Sequence, residues 1–257
     1  MTARGWYTDI GGCSIIHSKK CYNSRATLIM QKGSARRKIE MSLIYETVIL
    51  VADKELTRST FESLLLLVSR EKQLRIKRYH AYRDAQNALL GDVLARMLIC
   101  RATGRSNKQL EFTTNEYGKP SLITDTHIHY NISHAGHCIA CAIDDEPVGI
   151  DIERIKPIDI KIAERFFAPD EILYITSLKD NLLVRRFYEV WTKKESRIKY
   201  EGKGLSKPLP SFSVCTPTDQ DVVFYHEVFC NDEYIGNVCS SKQEKPPVRV
   251  IDITILH

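Results

Sequence analysis

P-V-G-I-D-I-E, Pro147 to Glu153, is the stretch on which the reading of this chain turns. Val148, Ile150 and Ile152 alternate with Gly149, Asp151 and Glu153. On a β-strand that spacing puts both carboxylates on one face and the apolar side chains on the other. Some forty residues on, W-T-K-K-E-S-R-I-K (Trp191 to Lys199) has helical character, so Glu195 and Lys199 share one helix face. Taken alone, D-x-E on a strand is more often a solvated face. E-x-x-x-K on a helix is usually a surface pair worth a few tenths of a kcal/mol, roughly. If the two stretches converge, three carboxylates need neutralising, and a hard divalent cation with oxygen ligands, Mg²⁺ above all, does so most simply. Mg²⁺ held by few carboxylates, with waters left over, points to chemistry at a phosphate.

Outward from this strand, D-D-E-P (Asp144–Pro147) reads as a turn, preceded by the strands C-I-A-C-A-I and I-H-Y-N-I-S. S-L-I-Y-E-T-V-I-L-V-A, after Met41, opens the patterned part of the chain as a strand. A helical region is expected from about Thr57 to Arg78. A second runs from Tyr82 to Thr103, with Leu89, Leu90, Val93, Leu94, Met97 and Leu98 as its core face and Gly104 as its C-cap. E-Y-G-K-P (Glu116–Pro120) reads as a loop. The second half, from Gly149, is expected to hold helices around 159–167, 169–178 and 182–200. Strands are expected at 211–215, 222–228, 235–239 and 248–255.

The net charge of +5 is concentrated at one end. Residues 1–40 hold eight Lys/Arg and two acids, which leaves the rest of the chain at −1. That near-neutral body gives no case for nucleic acid, and no apolar run approaches the length of a membrane span. The basic segment reads as disordered, although its acid-poor composition would also suit a presequence. Eight scattered cysteines without a secretory signal read as reduced thiols of a cytoplasmic protein. H-C-I-A-C (His137–Cys141) invites a zinc reading. On a strand, however, Cys138 and Cys141 fall on opposite faces and no second C-x-x-C follows, so buried core thiols are expected.

Seven stretches in one order resemble the Sfp-type 4′-phosphopantetheinyl transferases. They are E-K-Q-L-R-I-K-R-Y (71–79), L-L-G-D-V-L (89–94), E-Y-G-K-P (116–120), N-I-S-H-A-G (131–136), P-V-G-I-D-I-E (147–153), R-F-F-A-P-D-E (165–171) and W-T-K-K-E-S-R-I-K-Y-E-G-K-G-L (191–205). The resemblance spans about Leu43 to Val214. It implies an α+β fold built as a pseudo-twofold pair of similar subdomains, 41–148 and 149–257, with the active site at their interface. Met41 lies close to where the family's chains begin. Residues 1–40 are therefore read as a basic extension, and upstream translation of non-native sequence is one origin for it.

The same resemblance implies a holo-[acyl-carrier-protein] synthase type of enzyme. It would move the 4′-phosphopantetheine arm of coenzyme A to a serine of an apo peptidyl or acyl carrier protein, as in nonribosomal peptide and antibiotic biosynthesis. Adenosine 3′,5′-bisphosphate is released, and the protein is expected to act as a monomer. Asp151, Glu153 and Glu195 would hold Mg²⁺, with Mn²⁺ as a substitute. Glu195 would also take the serine proton, directly or through a metal-bound water, and Lys199 would stabilise the leaving phosphate. Lys72, Arg75, Lys119, Ser133 and His134 would hold coenzyme A. Arg75 stands where the family has lysine, and Ala88 where it has threonine. Glu171 matches a family position, and a role in local structure is expected for it equally. The competing reading is a non-catalytic relative that binds coenzyme A or carriers, and the intact Asp151, Glu153, Glu195 and Lys199 argue against it. A different Mg²⁺ phosphotransferase would want a Walker-type loop, which the chain lacks.

Overall fold

The halves are built to one plan. In a computed structural model, which describes residues 9–10, 13–14, 44–216 and 222–253, a small pair β1 (Asp9–Ile10) and β2 (Cys13–Ser14) comes first. The first half follows as β3 (Tyr45–Val51), α1 (Arg58–Leu65), α2 (Arg70–Ile76), α3 (Tyr82–Thr103), β4 (Phe112–Thr114), β5 (Pro120–Leu122), β6 (His129–Ala135) and β7 (Cys138–Asp144). The second runs β8 (Val148–Arg154), α4 (Lys161–Phe166), α5 (Pro169–Thr176), α6 (Asp180–Glu201), β9 (Phe224–Cys230), β10 (Tyr234–Ser240) and β11 (Val248–Asp252). In both, a strand leads into three helices and the chain returns through an antiparallel pair. The sheet orders match strand for strand, β3-β7-β6 against β8-β10-β9. The long third helix of each half ends on a left-handed glycine, Gly104 at φ 69° and Gly202 at φ 68°. The exception is β11, which leaves its own half and pairs in parallel with β3. The remainder of residues 1–43, and with it the expected disorder of the extension, lies outside the described residues.

Strand β7 joins two cores. It is buried along its whole length. Ile139, Cys141 and Ile143 pack with Leu89, Leu90, Val93 and Leu94 of α3, while Cys138, Ala140 and Ala142 pack with Val148, Ile150, Ile152 and Val238 of the second sheet. The period of two thus sends alternate residues to different clusters. It places the two cysteines on opposite faces, as expected. Among the described residues no His/Cys/Asp/Glu group is gathered for a metal, and burial pushes the Cys138 thiol up to about 12.

Two local expectations are corrected and a third is refined. The helix expected over 57–78 is two, because Ser69 caps α2 by accepting the Lys72 N–H at 3.3 Å. Residues 211–215 form no strand. Side chains capture that backbone instead: Ser213 Oγ accepts the Cys215 and Thr216 N–H groups, and Glu171 accepts that of Val214. The loop around Glu116–Pro120 is the tip of a hairpin, β4 paired with β5. Among the described residues no helix is long and apolar enough to cross a membrane.

Candidate active site at the seam

The two sheets meet where β6 runs beside β8, and side chains replace the backbone ladder there. Asn131 Oδ1 accepts the Ile150 N–H at 2.9 Å, and two residues on Ser133 Oγ accepts the Ile152 N–H at 3.3 Å. The equal step on both strands makes them parallel. Alternation aims Asn131 and Ser133 at β8, and it turns Asp151 toward β6 while Ile150 and Ile152 enter the second core. Helix α6 closes the third side by lying on the bare backbone of Gly149. A β-carbon there would meet the Ser196 carbonyl, the Tyr200 nitrogen and, at 3.0 Å, the Lys199 carbonyl carbon. A glycine within a strand marks such an approach.

This contact brings α6 residues to β8. Lys199 Nζ lies 2.6 Å from Asp151 Oδ1 and 3.0 Å from Ser133 Oγ. Ser133 Oγ–H in turn donates to Asp151 Oδ1 at 2.9 Å, so the hydroxyl gives one bond and takes two. Asp151 Oδ2 is buried and has no hydrogen-bond partner. Burial, then the Asp151 charge, raises the Glu153 carboxyl to about 7; Lys199 and a hydrogen bond from Trp191 oppose the rise, and Glu195 adds to it. Glu195 is raised by burial and by Asp151, against Lys199. Two glutamates and an aspartate that feel one another's charge confirm that the strand and helix stretches converge.

The remaining candidates fall into two groups. Lys72 on α2 lies 3.3 Å from Asp92 and Arg75 is exposed one turn on. His134 projects from β6 into solvent, and its imidazole is held below its ordinary range by crowding protein and by Lys199 and Lys72, against Asp84. Of these, Lys72 and Lys199 both act on the His134 charge, which ties α2 to the seam. Lys119 does not join them. Its ammonium donates to the carbonyls of Tyr200 at 3.0 Å and Val148 at 3.3 Å, although expectation gave it to the nucleotide. Ala88 is half-buried against the first core.

Glu171 and Lys194 form a fully buried pair at 2.6 Å behind the site. Glu171 also accepts the Ala168 and Val214 N–H groups, and Lys194 donates to the Phe212 carbonyl. Glu171 is therefore structural: it fastens α5 and the segment after α6 to α6 itself. Trp191 stacks on Phe187, with centroids 6.0 Å apart, and reaches Glu153 with its polar edge. Sequence reading passed over Asn131 and Lys194. Asn131 was signalled by its place two residues before Ser133, on the same strand face, whereas nothing distinguished Lys194 from Lys193.

The donor set suits a hard cation. Asp151, Glu153 and Glu195 offer only oxygens, Lys199 pairs with Asp151, and Asp151 Oδ2 has no hydrogen-bond partner. As placed, Lys199 rather than a ligand cage satisfies Asp151.

Two family models cover this architecture in turn. The one described as 4′-phosphopantetheinyl transferase, N-terminal, matches residues 55–146, and the 4′-phosphopantetheinyl transferase superfamily matches 147–250. The chain is 42% identical over 170 residues to the 4′-phosphopantetheinyl transferase Sfp of Bacillus subtilis (strain 168), covering 66% of this chain and 76% of that one. It is likewise 42% identical over 179 residues to the 4′-phosphopantetheinyl transferase gsp of Aneurinibacillus migulanus, covering 70% and 75%. A putative 4′-phosphopantetheinyl transferase of Synechocystis is 34% identical over 148 residues, covering 56% and 60%. The chain belongs to the Sfp-type 4′-phosphopantetheinyl transferase family.

Proposed function

We propose that this chain transfers the 4′-phosphopantetheine arm of coenzyme A to a serine of an apo peptidyl or acyl carrier protein. The serine oxygen forms a bond to the β-phosphorus of coenzyme A. The bond from that phosphorus to the bridging oxygen breaks, and adenosine 3′,5′-bisphosphate leaves with the electron pair. The observation that carries this reading is the bonded set of Asp151, Ser133 and Lys199 at the seam of the two halves, in a chain that matches the family over both halves. Phosphoryl-type transfer asks of a protein mainly position and charge neutralisation.

Asp151, Glu153 and Glu195 are the residues to hold Mg²⁺, or Mn²⁺ in its place. The bound ion would neutralise the pyrophosphate and act as Lewis acid. Glu195, its carboxyl raised by burial and by Asp151, is the group assigned to receive the serine proton. Lys199, which donates to Ser133 and Asp151, would stabilise the leaving phosphate. His134 offers a donor to the pyrophosphate, Ser133 would do so only by releasing the O–H it gives Asp151, and Lys72 and Arg75 offer charge to the 3′-phosphate.

The working unit is read as a monomer of two subdomains, 41–148 and 149–257. The near-neutral body supports no nucleic acid partner, and the free Cys100, Cys138, Cys141, Cys215 and Cys230 suit a reducing cytoplasm. The test is direct: apo carrier protein, coenzyme A and Mg²⁺ are mixed with the full chain, and the carrier is weighed by mass spectrometry. Gain of the phosphopantetheine arm supports the reading. Its absence across peptidyl and acyl carriers, with the chain folded, overturns it.

A further inference from the structure

The turn at the tip of the β4–β5 hairpin belongs to the first half, yet its polar groups are spent on the second. Asn115 Nδ2 donates to the Gly202 carbonyl at 2.7 Å, and Lys119 Nζ to the Tyr200 carbonyl at 3.0 Å. Both acceptors stand at the C-terminus of α6, where carbonyls have no partner within the helix. A cation there also meets the negative end of the helix dipole. The lysine's second bond, to the Val148 carbonyl at 3.3 Å, reaches the residue before Gly149, the point where α6 touches β8. The turn is itself preset. Asn115 Oδ1 accepts the N–H groups of Tyr117 and Lys119, at 3.0 and 2.9 Å, and Gly118 supplies the left-handed step at φ 83°. Gly202 leaves room for it, since a β-carbon there would come within 2.7 Å of the Lys119 side chain.

We infer that Asn115 and Lys119 form a clasp that fixes the spacing of α6 from β8, and so positions Glu195 and Lys199 against Asp151 and Glu153. Lys119 is then a positioning residue and not a nucleotide contact. Its ammonium is held down to about 8 because burial outweighs its surroundings, as suits a lysine turned inward to carbonyls. The inference rests on the transferase reading for its kinetic consequence, but not for its structural one.

Two variants of the full chain test it. Lys119→Met keeps the apolar stem and removes the donor. Asn115→Asp keeps the oxygen that shapes the turn, and it sets a carboxylate against the Gly202 carbonyl. Hydrogen exchange of the last turn of α6 should quicken by about tenfold in both. With carrier and coenzyme A, kcat should fall about tenfold while KM for coenzyme A stays within about twofold, because misplacement of reacting groups is felt in the chemical step. The double variant should lose little more than the worse single one, since both act on one helix end. Unchanged exchange overturns the clasp. So does quickened exchange with kcat intact, and so does a rise in coenzyme A KM confined to Lys119→Met, which would return that lysine to the nucleotide. If the unaltered chain transfers nothing, the transferase reading fails and the exchange measurement still decides the clasp.

Discussion

Gly149 lies directly beneath the carbonyl of Ser196, so closely that a β-carbon would overlap that oxygen and the Tyr200 nitrogen. Both obstacles are backbone, and neither can rotate away. Gly149→Ala should therefore push α6 off β8, at a cost of about 3 kcal/mol or more, the upper range for overpacking. Urea unfolding should show a lowered midpoint, and transfer should be lost even where the variant remains folded.

Asp151 is joined to Lys199 and Ser133 and repels two glutamates. Asp151→Asn removes both the attraction and the repulsion. Stability should fall by about 1.5–3 kcal/mol, because buried Asp151 loses a charged hydrogen bond to Lys199. Transfer should fall by about a thousandfold, because a charge on which metal and substrate binding depend is gone. Retention of more than a tenth of wild-type kcat at saturating Mg²⁺ would remove Asp151 from the ligand set.

Glu153 is raised to about 7 in the metal-free protein. A carboxyl raised on folding contributes stability fully below its unfolded pKa, about 4.3, and loses that contribution as pH rises through 7. Metal-free protein should therefore become less stable between about pH 4.3 and 7. A cation requires the ionised form, so Mn²⁺ binding should release a proton and weaken about tenfold per pH unit below 7. Calorimetry in buffers of differing ionisation enthalpy measures both effects. Binding that is flat from pH 5.5 to 7.5 would exclude Glu153 as a ligand.

The Glu171–Lys194 pair is fully buried and lies behind the chemistry. Lys194→Ala should strand a buried carboxylate and cost about 3–5 kcal/mol, read as a large drop in Tm. Adding Glu171→Gln to that variant should recover part of the loss. No recovery would show that the carboxylate's bonds to Ala168 and Val214 carry the effect.

Strand β8 and helix α6 were legible because alternation and the four-residue step are strong signals, and they carried the carboxylates and Lys199 with them. What stayed hidden depends on groups the sequence does not spell. Residues 211–215 alternate like a strand, but Ser213 and Glu171 take their N–H groups. Ser69 cuts a continuous helical pattern by capping from its own side chain. Lys119 was given to the nucleotide of coenzyme A on the family resemblance, while the bonds its ammonium makes here go to two carbonyls, in residues 148 and 200. The family resemblance supplied the pairing of halves, which periodicity alone left as a loose echo.

Strand β11 has a consequence for how the protein is made. Its parallel partner is β3, and Val248 lies opposite Thr47. During synthesis the first sheet emerges with one border of β3 bare, and it stays bare until about one hundred residues more have left the ribosome. An uncovered border of N–H and C=O groups is a template for foreign strands, and pairing over such a separation is slow. The nascent chain should be most prone to aggregate in that interval. Cutting it before Val248 should give a product that misassembles during translation, even though every residue of the site has already been made.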